Sequence, residues 1–166
     1  MGQVFIRVDN RLVHGQILEA WVPYLQANRI IVVNRDVASD PFRESVIRMA
    51  VPIHMGFDVY DIDDFVRHAG SPDTNSGNTI VLFDNIGDVL EAFRNGFRFT
   101  KLNIGNVYDE DGKIRCSSTI ILNENDLNGI LRLVDAGVEV ELRCVPRDKP
   151  VDFVEMMERS MFRIVK

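Results

Sequence analysis

Short runs rich in Val and Ile recur along this chain, each followed by a segment whose apolar residues keep a helical period. That alternation constrains the fold more than any other feature. Strands connected through helices pair in parallel, and helices on both faces of the sheet then bury them. The first run spans residues 4–8, and Arg-Ile-Ile-Val-Val at 29–33 is apolar enough throughout to be a central strand. Further strands are expected at 57–60, 79–83, 101–104 (ending at Gly105), 119–122 and 138–144. A chain of 166 residues can bury roughly 70% of its unfolded surface around one core. The expected fold is therefore α/β: a single three-layer domain over residues 1–166, with a mostly parallel open sheet flanked by helices.

The connections carry their own signals. A helix is expected over 15–25, with Ile17, Leu18, Trp21 and Leu25 on one face and Pro23 ending or kinking it. Asp40-Pro41 opens a second helix as N-cap and first helical residue, with Val46, Ile47 and Ala50 as its inner face. Shorter helices are expected at 62–68 and 88–93, and a last one at 151–157. Asn123 caps a helix running to Ala136, with Ile130, Leu131 and Val134 turned inward, and Gly137 breaks it. The Gly-, Ser-, Pro- and Asn-rich stretch 70–78 reads as an exposed loop, and Asp-Glu-Asp-Gly at 109–112 as a turn.

Composition excludes several classes. A net charge of -6 argues against binding nucleic acid or an anionic membrane non-specifically. Two cysteines, Cys116 and Cys144, make neither a disulfide framework nor a four-ligand zinc site, and suit thiols in a reducing cytosol. The N-terminus lacks the basic lead and apolar stretch of a signal peptide, and Ile6 stands where myristoylation needs Ser or Thr. No apolar run approaches the roughly 20 residues that span a bilayer. A cytoplasmic protein without metal or cofactor is expected. His54 and His68 have no chemical constellation around them and read as structural. A nucleotide-binding module is a poor fit, because no glycine-rich phosphate loop is present.

Open parallel sheets bind ligands beyond the carboxyl ends of their strands. The segment 7–16, which runs from the first strand into the loop after it, holds Arg7, Asp9, Arg11 and His14 immediately before a helix. A helix start favours an anion, a guanidinium holds phosphate through paired hydrogen bonds, and histidine is a nucleophile near neutral pH. Asp9 could accept a hydrogen bond from one ring nitrogen and so orient the other. An ordinary surface histidine in an Asp/Asn-rich turn satisfies the same spacing. Arg7 follows the alternation of the strand and could instead point across the sheet edge.

The segment 7–16 reads Arg-Val-Asp-Asn-Arg-Leu-Val-His-Gly-Gln. It resembles the active-site loop of IIB subunits of the mannose/fructose/sorbose family of the phosphoenolpyruvate-dependent sugar phosphotransferase system. The usual form there is Arg-[Ile/Val]-Asp-[Asp/Asn]-Arg-Leu-[Ile/Val]-His-Gly-Gln. The likeness continues through Trp21, the strand at 29–33 and Arg43, and returns at Leu82-Phe83, Asn103-Ile104-Gly105 and Gly137-Val138-Glu139-Val140.

The resemblance implies a phosphohistidine–sugar phosphotransferase whose His14 carries phosphate on Nδ1. The donor would be a IIA phosphohistidine, and the acceptor a sugar hydroxyl held by membrane IIC and IID subunits. Arg11 and Arg43 would assist transfer, and the chain would work in the cytoplasm, transiently at the inner face of the membrane. A regulatory relay with the same histidine chemistry and no sugar acceptor is the alternative. Leu12, Val13 and Trp21 are candidates for a partner-docking patch, although Trp21 at helical spacing also reads as core. Three features depart from the family pattern: Asn106 where a second glycine is usual, Asp84 beyond the fourth strand, and the segment 109–118.

Overall fold

The structure, a computed structural model, describes residues 2–69 and 77–164. Strand β1 (Val4–Asp9) leads through a loop to a π-helical turn (Ile17–Trp21) that runs directly into helix α1 (Val22–Leu25). Then come β2 (Arg29–Val33), α2 (Arg35–Ala38), α3 (Pro41–Ala50), β3 (Gly56–Tyr60) and α4 (Ile62–His68). Strand β4 (Thr79–Phe83), α5 (Ile86–Arg94) and β5 (Lys101–Asn106) follow, with a two-stranded ribbon of β6 (Ile114–Arg115) and β7 (Ile121–Leu122) beyond them. The chain closes with α6 (Glu124–Asp135), β8 (Glu139–Leu142), β9 (Val151–Asp152) and α7 (Phe153–Ile164).

The described residues form one seven-stranded sheet in the order β3-β2-β4-β1-β5-β8-β9. Every pairing in it is parallel except that of β8 with β9. β1 is the middle strand of the sheet, with β4 on one side and β5 on the other, so the loop leaving its carboxyl end sits mid-sheet.

Strand alternation separates two cores. Ile6 and Val8 face one side with Ile31, Val33, Val81, Phe83, Leu102, Ile104, Val140 and Leu142, under residues of α4, α5, α6 and α7. Ile30, Val32, Ile80 and Leu82 face the other side, packed by Leu12, Ile17, Trp21, Val37 and Met55. Helices on both faces make the three layers expected from the sequence. The second core stops at β1. On the same face of β5 and β8 the row continues with polar groups: Arg7 pairs in register with Asn103, and Asn103 with Glu141.

Several local expectations need correction. Pro23 does not stop its helix, because the π-helical turn ends just before it and leaves it in the first turn of α1, where its missing N–H costs little. Of the inner face expected for α3, only Ile47 packs against the second core, half-buried; Val46 and Ala50 are exposed with Phe42 and Met49, and no residue of the helix is fully buried. The burial there falls instead to Val51 and Met55, just past the helix. In α6 Ile130 is buried and Val134 half-buried against the core as expected, but Leu133 takes the inward place given to Leu131, which is 38% exposed. Residues 151–152 are a strand antiparallel to β8, and the one-turn α2, capped by the Asn34 side chain, was not foreseen. Within the loop expected at 70–78, residues 70–76 lie outside the described residues.

Thr79 Oγ1, at the start of β4, is buried and has no hydrogen-bond partner among the described residues. A buried hydroxyl in that state costs free energy that a methyl group of the same shape does not. Thr79→Val is expected to raise stability by about 1 kcal/mol, read as a higher urea midpoint with an unchanged slope.

Candidate active site

The loop after β1 is shaped by Asp9 and by one left-handed residue. Asp9 Oδ1 accepts from the Arg11 backbone N–H at 3.1 Å, and the Asp9 carbonyl accepts from Leu12 N–H at 2.9 Å. Leu12 holds φ at +57°, a conformation unfavourable for a side chain with Cβ. Burial of that side chain in the second core (3% exposed) offsets the strain. The reversal brings His14 back over the end of its own strand. The His14 carbonyl then accepts from Ile17 and Leu18 N–H at 3.0 and 3.2 Å, so the histidine sits at the start of the helical segment.

Asp9 is the hub. Its Oδ2 lies 2.8 Å from His14 Nε2, and accepts from Asn106 Nδ2 at 2.9 Å and from Arg7 Nη2 and Nε at 3.0 and 3.3 Å. Its Oδ1 faces Arg11 Nε at 3.7 Å. The carboxylate is fully buried, whereas 15% of the His14 side chain reaches solvent. Burial opposes the charge of Asp9 and is the largest single influence on it. The hydrogen bond from His14, then the charge of Arg7, nonetheless carry its pKa below the ordinary carboxylate value. An ionised carboxylate can only accept, so the ring proton belongs on Nε2. His14 Nδ1 bonds to no described residue, and in the neutral ring it is the nitrogen that carries the lone pair.

Arg7 does not point across the sheet edge. It lies wholly buried beneath the site. Nη1 donates to Asn103 Oδ1 at 2.7 Å and to the Arg143 carbonyl at 3.0 Å, and Nη2 to the Cys144 carbonyl at 2.9 Å. The guanidinium also lies 5.0 Å from the centre of the Trp21 ring, whose Nε1 donates to the same Cys144 carbonyl. Burial lowers the Arg7 pKa and the Asp9 carboxylate works against that change; an arginine still keeps its charge. The fork fits because β1 and β5 shift register between Val8 and Asp9, pairing Asp9 with Asn106 and passing over Gly105. A Cβ on Gly105 would stand 1.9 Å from Arg7 Nη2.

Of the four residues expected to act, the structure gathers three. His14, Asp9 and Arg11 form one bonded cluster, with Arg11 Nη2 steadied by Gln16 Oε1 at 2.8 Å. Arg43 stands apart from it. It is in the first turn of α3, exposed, and its guanidinium bonds to no described residue. α2 and α3 connect the carboxyl end of β2 to the start of β3, so the first turn of α3 lies towards the carboxyl ends of the strands, as the His14 loop does. Leu12 and Trp21 are buried and cannot form a docking patch. Asp84 is bonded to Asn85 Nδ2 and not to His14. His54 is exposed, and His68 bonds to the Asp64 carbonyl and stacks on Tyr60.

Residue patterns alone did not reveal the buried roles of Arg7, Asn103 and Asn106, nor the half-buried Gln16 that steadies Arg11. The available signal was Gly105 inside a strand, which marks a bulge or a close approach. Asn106 belongs to β5 and donates its side-chain amide to Asp9. Beside the cluster lies a cleft of about 330 Å³, walled by Gln16, Cys144, Arg147, Lys149, Ser117 and Thr119. Among the described residues no group of three His, Cys, Asp or Glu could hold a metal ion, and no helix is long and apolar enough to cross a membrane.

Comparison with known proteins matches residues 3–165 to the family described as PTS system sorbose subfamily IIB component. The fructose-specific EIIB component of the phosphotransferase system (PTS) of Bacillus subtilis is 30% identical over 157 residues, covering 95% of this chain and 96% of that protein. The mannose-specific EIIAB component of Escherichia coli is 28% identical, covering 92% of this chain and 47% of the longer protein. The crystal structure of the IIBSor domain of the sorbose permease from Klebsiella pneumoniae superposes with a TM-score of 0.85 at 31% identity, covering 95% of this chain and 98% of that one. The chain belongs to the sorbose subfamily of IIB components of the phosphotransferase system.

Proposed function

We propose that this chain is a phosphocarrier that takes a phosphoryl group onto His14 Nδ1 from the phosphohistidine of a IIA protein. It then hands the group to a hydroxyl of a sugar bound by membrane IIC and IID subunits, working from the cytoplasm at the inner face of the membrane. The observation that carries this reading is the 2.8 Å contact between His14 Nε2 and Asp9 Oδ2, which occupies that nitrogen and leaves Nδ1 unbonded at a partly exposed position. Phosphoryl transfer asks little covalent chemistry of a protein beyond placing the nucleophile and neutralising charge.

Asp9 orients the ring, as an acidic partner does for other nucleophile-assisting histidines. Arg11, anchored by Gln16 and with about half of its side chain exposed, neutralises the phosphoryl oxygens as charge builds on them. Arg43 adds a second cation once a partner closes over this edge. A IIA partner accords with the mannose-specific relative, whose name joins IIA and IIB in one protein. The segment 109–118 contributes Cys116, Ser117 and Ser118 to the cleft beside the site, so the part that departs most from the family pattern borders the site.

The test is transfer from a phosphorylated IIA protein, followed by intact mass for wild type and His14→Ala. One acid-labile phosphate on wild type and none on the variant is expected. An unphosphorylated wild type, with a donor shown active on another IIB protein, would sink the reading.

A further inference from the structure

We propose that Arg7 is a positioning residue whose buried charge, acting through Asp9, keeps the His14 ring neutral before transfer and limits how strongly the ring holds the phosphoryl group afterwards. The inference rests on the reading of His14 as the phosphoryl carrier.

A buried carboxylate facing a histidine and nothing else draws a second proton onto the ring. The resulting imidazolium has no lone pair and cannot attack phosphorus. Here Asp9 Oδ2 is shared, with Arg7 supplying a full positive charge at 3.0 Å and Asn106 a neutral donor at 2.9 Å. The Arg7–Asp9 pair is neutral as a unit, so what reaches His14 is a hydrogen bond without net charge behind it.

The same balance governs the product. On transfer the Nδ1 lone pair forms the new N–P bond, and the donor's N–P bond breaks with its electron pair returning to the donor ring. The proton remains on Nε2. The phosphorylated ring is then cationic and faces Asp9. An uncompensated carboxylate would hold that cation and trap the phosphate; one already matched by Arg7 holds it less and keeps the group transferable.

The fold commits several features to this placement. Arg7 is held by Asn103 Oδ1 and by the Arg143 and Cys144 carbonyls, lies over Trp21, and occupies space left by the missing Cβ of Gly105. The charged or titratable groups that the structure sets against Asp9 and His14 are Arg7 from β1, Arg11 from the loop, and the Cys144 thiol beyond β8. That thiol lies 4.0 Å from Asn106 Nδ2 and 3.8 Å from Gln16 Oε1. Glu141 reaches the pair only through Asn103.

The experiment follows the His14 ring by NMR across pH in wild type, Arg7→Gln, Arg7→Lys and Asn106→Ala, alongside the equilibrium distribution of phosphate between IIA and this chain. In Arg7→Gln the titration midpoint of His14 should rise by about one pH unit or more. Phosphate should shift towards this chain roughly tenfold, the equivalent of that rise. Arg7→Lys retains the charge and should titrate close to wild type, and Asn106→Ala should shift upward by less than Arg7→Gln. An unchanged midpoint in folded Arg7→Gln, or an equal rise in Arg7→Lys, would show that only packing matters and would overturn the proposal. If Arg7→Gln does not fold, the other two decide it: a rise in Asn106→Ala with Arg7→Lys near wild type supports it, and any other pattern overturns it. Failure of wild type to take phosphate on His14 would defeat the phosphocarrier reading while leaving the titration result intact.

Discussion

Replacing Asp9 by Asn should leave a protein about 3 kcal/mol less stable that takes up phosphate roughly 10³-fold more slowly. Both effects come from one oxygen. Asp9 Oδ2 receives His14, Asn106 and Arg7, so the variant leaves the Arg7 charge buried without a counter-charge. An amide also cannot fix the ring proton on Nε2, because it offers a donor as readily as an acceptor. The pH dependence should change with it. Because the Asp9 pKa is depressed in the folded protein, the carboxylate contributes stability above its unfolded pKa, near 3.9. That stability is lost as pH falls through the lower folded value. Urea unfolding from pH 7 to the acid limit should therefore show a steep acid loss in wild type and a flatter one in the variant. Rapid-quench phosphorylation gives the rate, and an Asp9→Asn protein as fast as wild type would remove Asp9 from the mechanism.

Gly105→Ala should be nearly as damaging, at a position with no side chain to act. The added methyl would lie 1.9 Å from Arg7 Nη2 and 2.0 Å from Cζ, far inside contact distance. A long side chain can usually swing away from such a clash. This one is pinned by Asp9, Asn103 and two backbone carbonyls in a fully buried setting, so relief means either a deformed bulge or a broken ion pair. A loss of about 3 kcal/mol is expected, with slower phosphorylation because Asp9 loses its support. The cause can be isolated by combining the substitution with Arg7→Gln. If the clash with Arg7 is responsible, the double variant should be scarcely less stable than Arg7→Gln alone. Full additivity would place the problem in the backbone instead.

The architecture was readable because it depends on patterns that repeat. The runs at 4–8, 29–33 and 79–83 became β1, β2 and β4, and the caps Asp40 and Asn123 accept the backbone bonds their positions called for. Errors arose where one residue's fate depends on distant chain. Val46 and Ala50 have helical spacing, yet no layer covers that face of α3, so periodicity signalled burial that tertiary structure does not supply. Leu133 replaced Leu131 because the phase of α6 is set by its packing against α5 and β8, not by composition.

The site shows the same division. His14, Asp9 and Arg11 lie within one loop, so local sequence could place them together. Arg7 looked like a strand residue with an awkward charge, because its partners come from residues 103, 143 and 144 across two neighbouring strands. Asn106 showed only as a departure from the family pattern, because the carboxylate it serves lies 97 residues away in the sequence.

The central claim is that Asp9 holds Nε2 of His14 so that phosphate enters at Nδ1. The most direct measurement is ¹⁵N and ³¹P NMR of the chain phosphorylated by a IIA donor, with the histidine rings labelled, which identifies the nitrogen bonded to phosphorus. Phosphate on Nδ1 of His14, with the proton retained on Nε2 against Asp9, is the predicted result. Phosphate on Nε2, or on a residue other than His14, would contradict it.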